Sequence, residues 1–200
     1  MMEESRAREK LIEAGKKEFL TLGYQKASLR SICTNAGIST GSIYFFFGSK
    51  TDFFDCIVSE TAQRMIELMQ QMTYSELNGG KTSIENDRMF VRFLFEHKEE
   101  TLLLLEQSKN TPYEGFKDEI CKISERAFAA FYKKYGGDDP YQDIVKILVQ
   151  MRIQGYLSLL HGDYDMETAM DLSEMLSVYS DCGFMGMMKK WQSVKEGSAG

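Results

Sequence analysis

An all-α fold is predicted for this 200-residue sequence by three observations. Apolar residues recur three and four apart along nearly its whole length, the period of a helix that buries one face. The only two prolines, Pro112 and Pro140, both fall at the ends of such periodic segments. No Asn-Gly or Asp-Gly turn joins alternating strands.

The first helix is expected from about Ser5 to Leu22, with Ile12, Gly15, Phe19 and Leu22 inward. Ser28 can then cap a short helix whose apolar positions Leu29, Ile32, Cys33 and Ala36 share one side. Gly37 stands where that helix must stop and the chain must turn, because a residue without Cβ takes the left-handed conformation at little cost. Ile38 plugs the turn into the core, and Ser39 or Thr40 can cap the next helix. In it Ile43 and Phe47, four apart, face inward and leave Thr40, Ser42, Tyr44 and Phe45 free. Such a pair of short helices is a helix-turn-helix, and the free face of its second member suits a DNA major groove. Ser49-Lys50-Thr51-Asp52 resembles a capping box with Asp in place of Glu, so a helix is expected from about Lys50 to Met72. Its positive end beside Lys50 suits a phosphate.

Beyond a loop at Tyr74 to Thr82 that contains Asn78-Gly79-Gly80, helices are expected at about Ser83–Phe95, His97–Gln107, Tyr113–Tyr135, Tyr141–His161 and Met166–Trp191. Gly136-Gly137-Asp138-Asp139-Pro140 separates the third of these from the fourth. The division follows: 1–50, an N-terminal three-helix helix-turn-helix domain; 51–195, a larger helical domain; 196–200, a disordered tail.

Net charge is −6, which by itself argues against nucleic acid, but the charge is uneven. Residues 1–50 carry eight basic against five acidic side chains, and the remainder sixteen against twenty-five. A positive head on an acidic body fits DNA contact through one end. No apolar run reaches the roughly 20 residues of a membrane span, and the Met1-Met2-Glu3-Glu4 start has no signal-peptide pattern, so a cytoplasmic protein is expected. Cys33, Cys56, Cys121 and Cys182 have neither zinc nor disulfide spacing and are expected as reduced thiols. With two histidines, no nucleophile elbow and no phosphate-binding glycine loop, catalysis has no carrier; neither an enzyme nor a cofactor nor a metal is expected.

The ordered set Gly23-Tyr24, Ser28, Ala36-Gly37-Ile38, Gly41-Ser42-Ile43-Tyr44-Phe45-Phe46-Phe47 and Lys50 resembles the DNA-binding domain of the tetracycline-repressor (TetR) family of bacterial regulators, over about Arg6 to Val58. The resemblance implies that Thr40, Gly41 and Ser42 read base edges and that Arg30 contacts a guanine as in some members. It likewise implies that Ser28, Tyr44 and Lys50 clamp phosphates, which position the protein without specifying sequence. Phe45 and Phe46 depart from the family, where polar or ring-nitrogen side chains are common. At these positions either apolar contact with a thymine methyl replaces a hydrogen bond, or a phenylalanine packs under the helix.

For the larger domain the resemblance implies a small-molecule cavity whose occupation changes the spacing of two DNA-binding heads. Its wealth of Phe, Tyr and Met suits an apolar or aromatic effector, with Phe93, His97, Tyr113, Phe116, Phe128, Met151, Arg152 and Tyr156 as candidate lining. Arg152 lies on a strongly apolar helix: it bridges a dimer interface, meets an anionic effector, or snorkels to water. His97 and Glu100, three apart, are too few for a metal site. A homodimer is expected because one recognition helix touches too few bases to be selective. Its seam would lie on the last two helices, at Ile144, Leu148, Leu159, Met175, Tyr179 and Phe184 together with Leu176 and Val178. The leading reading is a dimeric, ligand-released repressor on a palindromic operator. The alternative is an architectural or ligand-independent DNA binder of the same fold.

Overall fold

A computed structural model describes residues 2–134 and 142–198. Among them all regular structure is helical, as the periodicity predicts: α1 (Met2–Lys26), α2 (Leu29–Ala36), α3 (Thr40–Phe47), α4 (Lys50–Leu77), α5 (Ser83–Glu96), α6 (Lys98–Glu106), α7 (Phe116–Lys134), α8 (Gln142–His161) and α9 (Met166–Ser198). No helix is long and apolar enough to cross a membrane. The glycine-rich break expected at 136–140 lies outside the described residues.

The described residues form two compact units, one from the stretches Met1–Met65 and His97–Glu119, the other from Ile66–Glu96 and Ile120–Gly200. The first therefore extends beyond the boundary expected at residue 50.

The first unit has an aromatic core. Leu11, Phe19, Ile32, Ile43, Phe53, Phe54 and Val58 are essentially sealed from water, each burial stabilising by roughly 1.5–3 kcal/mol. Phe19 meets Phe54 edge-on at 5.2 Å and Phe53 at 5.8 Å between ring centroids. The approach of α1 to α4 depends on Gly15, where a Cβ would stand 2.4 Å from the Phe53 ring. The inner line of α1 is Leu11, Gly15 and Phe19 rather than the line through Ile12 and Leu22: Ile12 is half-buried and Leu22 exposed, since positions four apart stay in register over these two turns. Gly23, at φ 73 and ψ 162, breaks the helix in a conformation that favours glycine. The break turns Tyr24 back, where its ring packs edge-on against Phe54. The Lys16 ammonium ties α1 to α6 through Glu100 at 2.5 Å and Glu99 at 3.6 Å.

In the second unit α5 packs chiefly on α9 and also on α8, around Phe90, Val91, Leu94, Val149, Leu157, Leu160 and Met170. Three helix ends differ from expectation. α4 continues to Leu77, because the first strong stop is Asn78-Gly79, where the Asn78 amide caps the Tyr74 carbonyl and Gly79 takes φ 73. α7 begins only at Phe116, since the Thr111 hydroxyl accepts the Tyr113 N–H and holds the preceding residues in turns. α9 runs to Ser198, three residues into the segment expected as a disordered tail, because nothing after Trp191 forces a stop and a helix once begun propagates at little cost.

Candidate nucleic-acid interface

The helix-turn-helix is set by short-range signals. The Ser28 hydroxyl accepts the Ser31 N–H at 3.4 Å and so caps α2. Glu18 holds the other side of this start, accepting from the Ser28 N–H and the Ser31 hydroxyl. Gly37 ends α2 in the left-handed region, at φ 67 and ψ 34, its N–H directed at the Cys33 and Thr34 carbonyls. Ser39 occupies the N-cap position of α3 but makes no capping bond; its hydroxyl pairs with that of Ser42 at 2.8 Å. Ile43 and Phe47 are buried as their spacing requires.

The opposite face of α3 is open. Tyr44 is 56% and Phe45 77% exposed, Thr40 and Gly41 are exposed, and Ser42 is half-buried. Phe46 is half-buried and stacks edge-on against Phe45 at 5.3 Å. Of the two phenylalanines, Phe46 thus leans toward the helix's own packing and Phe45 is left outward. Arg30 is exposed on α2. Lys50 begins α4, where the Ser49 hydroxyl accepts the Asp52 N–H at 3.1 Å and donates to the Asp52 carboxylate at 2.6 Å. The Lys50 ammonium lies 4.6 Å from the centre of the Tyr24 ring and donates to the Gln25 carbonyl. Burial lowers its pKa while Glu18 opposes that shift. The expected DNA contacts Ser28, Arg30, Thr40, Gly41, Ser42, Tyr44, Phe45 and Lys50 are therefore all carried by the first unit, at the cap of α2, on α2 and α3, and at the start of α4. Sequence reasoning missed Arg8, whose guanidinium donates to the Cys56 sulfur at 2.7 Å and lies 5.4 Å from the centre of the Phe47 ring, bracing the end of α3.

The eight candidate effector residues do not gather in one unit. His97, Tyr113 and Phe116 belong to the first, where Phe116 is buried and the Tyr113 hydroxyl donates to Asp55 at 2.6 Å. Phe93, Phe128, Met151, Arg152 and Tyr156 belong to the second; Phe93 is buried and Met151 exposed. Arg152 has a partner within the chain that its sequence context did not identify. It pairs with Asp87 of α5 inside its own chain, and Asp87 also accepts from the Tyr156 and Ser177 hydroxyls, the latter at 2.5 Å. Asp87, almost fully buried, was overlooked. The available signal was its place on the line of Phe90, Val91 and Leu94, where a carboxylate needs a partner. Among the described residues no group of acidic, His or Cys side chains could hold a metal.

Of the expected seam residues, Met175 and Tyr179 are each 69% exposed, with Leu176 and Val178 exposed beside them. Ile144 and Leu148 are half-buried. Leu159 is buried in its own unit, on the helical line of Arg152 and Tyr156, and Phe184 meets Phe128 edge-on at 6.3 Å between ring centroids. Ile147, Met151 and Met185 are further exposed apolar side chains on α8 and α9.

Residues 11–57 match the family model of the bacterial regulatory proteins of the tetR family. No curated protein matches the chain. Solved structures of similar fold include a transcriptional regulator of the TerR/AcrR family from Aquifex aeolicus VF5. It is 21% identical, with 86% of this chain and 99% of that one covered, at a TM-score of 0.58. A TetR-like transcriptional regulator from Rhodococcus sp. RHA1 is 18% identical, covering 88% and 96%, at 0.59. A putative fatty acid metabolism regulator from Clostridium perfringens is 16% identical, covering 84% and 96%, at 0.58. Residues 11–57 are thus similar to the bacterial regulatory proteins of the tetR family, and the chain as a whole shares the fold of these solved regulators.

Proposed function

We propose that the chain is a homodimeric transcriptional repressor that reads a palindromic operator with α3 and is released from it by a small-molecule effector bound in the second unit. The observation that carries the reading is the pair of faces on α3. One is locked by Ile43 and Phe47, while the other leaves Tyr44 and Phe45 in water at a cost that a DNA groove removes. Arg30 and Thr40, exposed on α2 and α3, supply hydrogen bonds to base edges, and Phe45 supplies apolar contact to a thymine methyl. Lys50, at the positive end of α4, supplies the phosphate contact.

Two copies place their recognition helices about one turn of DNA, ~34 Å, apart. The exposed side chains Ile147, Met151, Met175, Leu176, Val178 and Tyr179 on α8 and α9 supply the seam. Release follows if the effector binds the conformation with mismatched head spacing more tightly than the DNA-bound one.

The test uses an operator selected from random duplex DNA. Lys50→Ala is expected to weaken binding to all sequences about tenfold and to lower the salt slope. Replacing thymine by deoxyuridine, which removes only the methyl group, is expected to weaken the native protein and to leave Phe45→Ala unaffected. Binding that is indifferent to all these changes removes the assignment of α3.

A further inference from the structure

The second unit sets one buried and two half-buried carboxylates, Asp87, Glu76 and Asp181, around α5. Ser83, Asn86 and Asp87 lie three and four apart on α5 and so share one face. Asn86 Nδ2 donates to Glu76 Oε1 at 2.8 Å and to the Met72 carbonyl at 3.4 Å, and the Ser83 hydroxyl donates to Asp181. Asp87 is satisfied by Arg152, Tyr156 and Ser177. Three carboxylates thus meet one guanidinium, which Asp87 already takes. Among the described residues Glu76 and Asp181 make no ion pair. The Lys134 ammonium donates to the carbonyls of Glu76 and Leu77. Burial holds the Glu76 carboxyl above its ordinary pKa; the Asn86 hydrogen bond pulls it back, Asp87 and Asp181 push it further up, and Arg152 opposes them.

A second observation points the same way. Asn86 is 0% exposed, yet its Oδ1 has no hydrogen-bond partner, while the other end of the same amide is fixed on Glu76. An orphaned buried acceptor beside surplus carboxylate calls for a donor that carries positive charge. A point ion does not fit, since no three acidic, His or Cys side chains among the described residues converge as a metal requires. An extended cation with separated donors supplies both the charge and the hydrogen bond that these groups lack. Glu76, Ser83 and Asp181 are half-buried, whereas Asn86 and Asp87 are buried.

We propose that the cluster of Glu76, Asn86 and Asp181 binds a small aliphatic amine bearing two or more ammonium groups, which pair with the two carboxylates and donate to Asn86 Oδ1. This rests on the reading of the second unit as the effector domain, and it turns the expected effector from a purely apolar molecule into a cationic one. A monocarboxylate is repelled by the same groups.

The experiment titrates the full chain, without DNA, with 1,4-diaminobutane and spermidine against hexanoate, by calorimetry and thermal shift. Saturable amine binding is expected, weakened at least tenfold in Glu76→Gln and Asp181→Asn and unchanged in Glu167→Gln, an exposed acid outside the cluster. Both cluster substitutions keep a hydrogen-bonding side chain of the same shape. Should either fail to fold, hydrogen exchange of the native protein decides, with protection by the diamine expected over the end of α4 and the start of α5. No saturable binding, equal binding by folded variants, absent protection, or stabilisation by hexanoate in place of the amines overturns the proposal. The regulator reading fails separately: amine binding that leaves the operator complex intact removes it and keeps the site, whereas release by a carboxylate alone keeps the regulator and removes the site.

Discussion

The two units treat polar and apolar side chains in opposite ways. The first keeps a dry aromatic core of Phe19, Phe53 and Phe54 and exposes rings only on the free face of α3. The second buries Asp87 with Arg152, Tyr156 and Ser177, and leaves Met175, Leu176, Val178 and Tyr179 in water. The first arrangement specifies one rigid shape through close packing. The second draws specificity from a polar network and keeps its spare apolar surface outside, where a second copy can cover it. On the proposed reading, exposed apolar surface is where each unit makes contact, with DNA in one and with a partner subunit in the other.

That contrast can be broken at its most demanding point. Arg152→Met strands a buried Asp87 and is expected to cost about 3–5 kcal/mol in denaturant unfolding, whereas adding Asp87→Leu recovers most of the loss. A single-variant cost below about 1 kcal/mol shows that the network is not what holds α5 to α8. Met175→Asp with Tyr179→Asp is expected to give a folded monomer at micromolar concentration in sedimentation, with about 2 kcal/mol lost per anchor; a persistent dimer places the seam elsewhere. Gly15→Ala forces a methyl into the Phe53 ring and is expected to destabilise the first unit by about 1–3 kcal/mol with no change in the second, seen as protease sensitivity confined to the head.

The smallest effect is a pH dependence. Glu76 has its pKa raised in the folded protein, mainly by burial. The folded state therefore binds this proton more tightly than the unfolded chain does. Its contribution to stability is full below the ordinary Glu pKa and is lost as pH rises through the folded value. Glu76→Gln is expected to flatten that decline; an unchanged profile assigns it to other groups.

The first unit was legible because its signals are local. The Ser28 cap, the Gly37 turn, the Ser49–Asp52 box and the spacing of Ile43 and Phe47 each lie within a few residues of what they determine. Even there Ser39 could not be read, since its hydroxyl had a choice between the helix backbone and Ser42, and only the settled geometry of α3 decides it. The tie of Lys16 to Glu100 joins helices far apart in sequence and was equally hidden. The second unit was legible as helices but not as a network. Periodicity finds the helix that carries Arg152, but its partner lies 65 residues away, and Ser177 lies 90 from Asp87. A charge on an apolar stripe announces that a partner exists, not which one. Helix ends lay between, because α4 was free to pass Tyr74 and stop only at Asn78-Gly79.

The central claim is that α3 reads DNA as one of a symmetric pair, and selection of bound sequences from random duplex DNA by the purified full-length chain tests it most directly. An enriched inverted repeat with thymine in each half-site is expected, its half-sites about one helical turn apart, bound by two chains and lost in Phe45→Ala with Ser42→Ala. No enriched sequence, or a single asymmetric site bound by one chain, contradicts it.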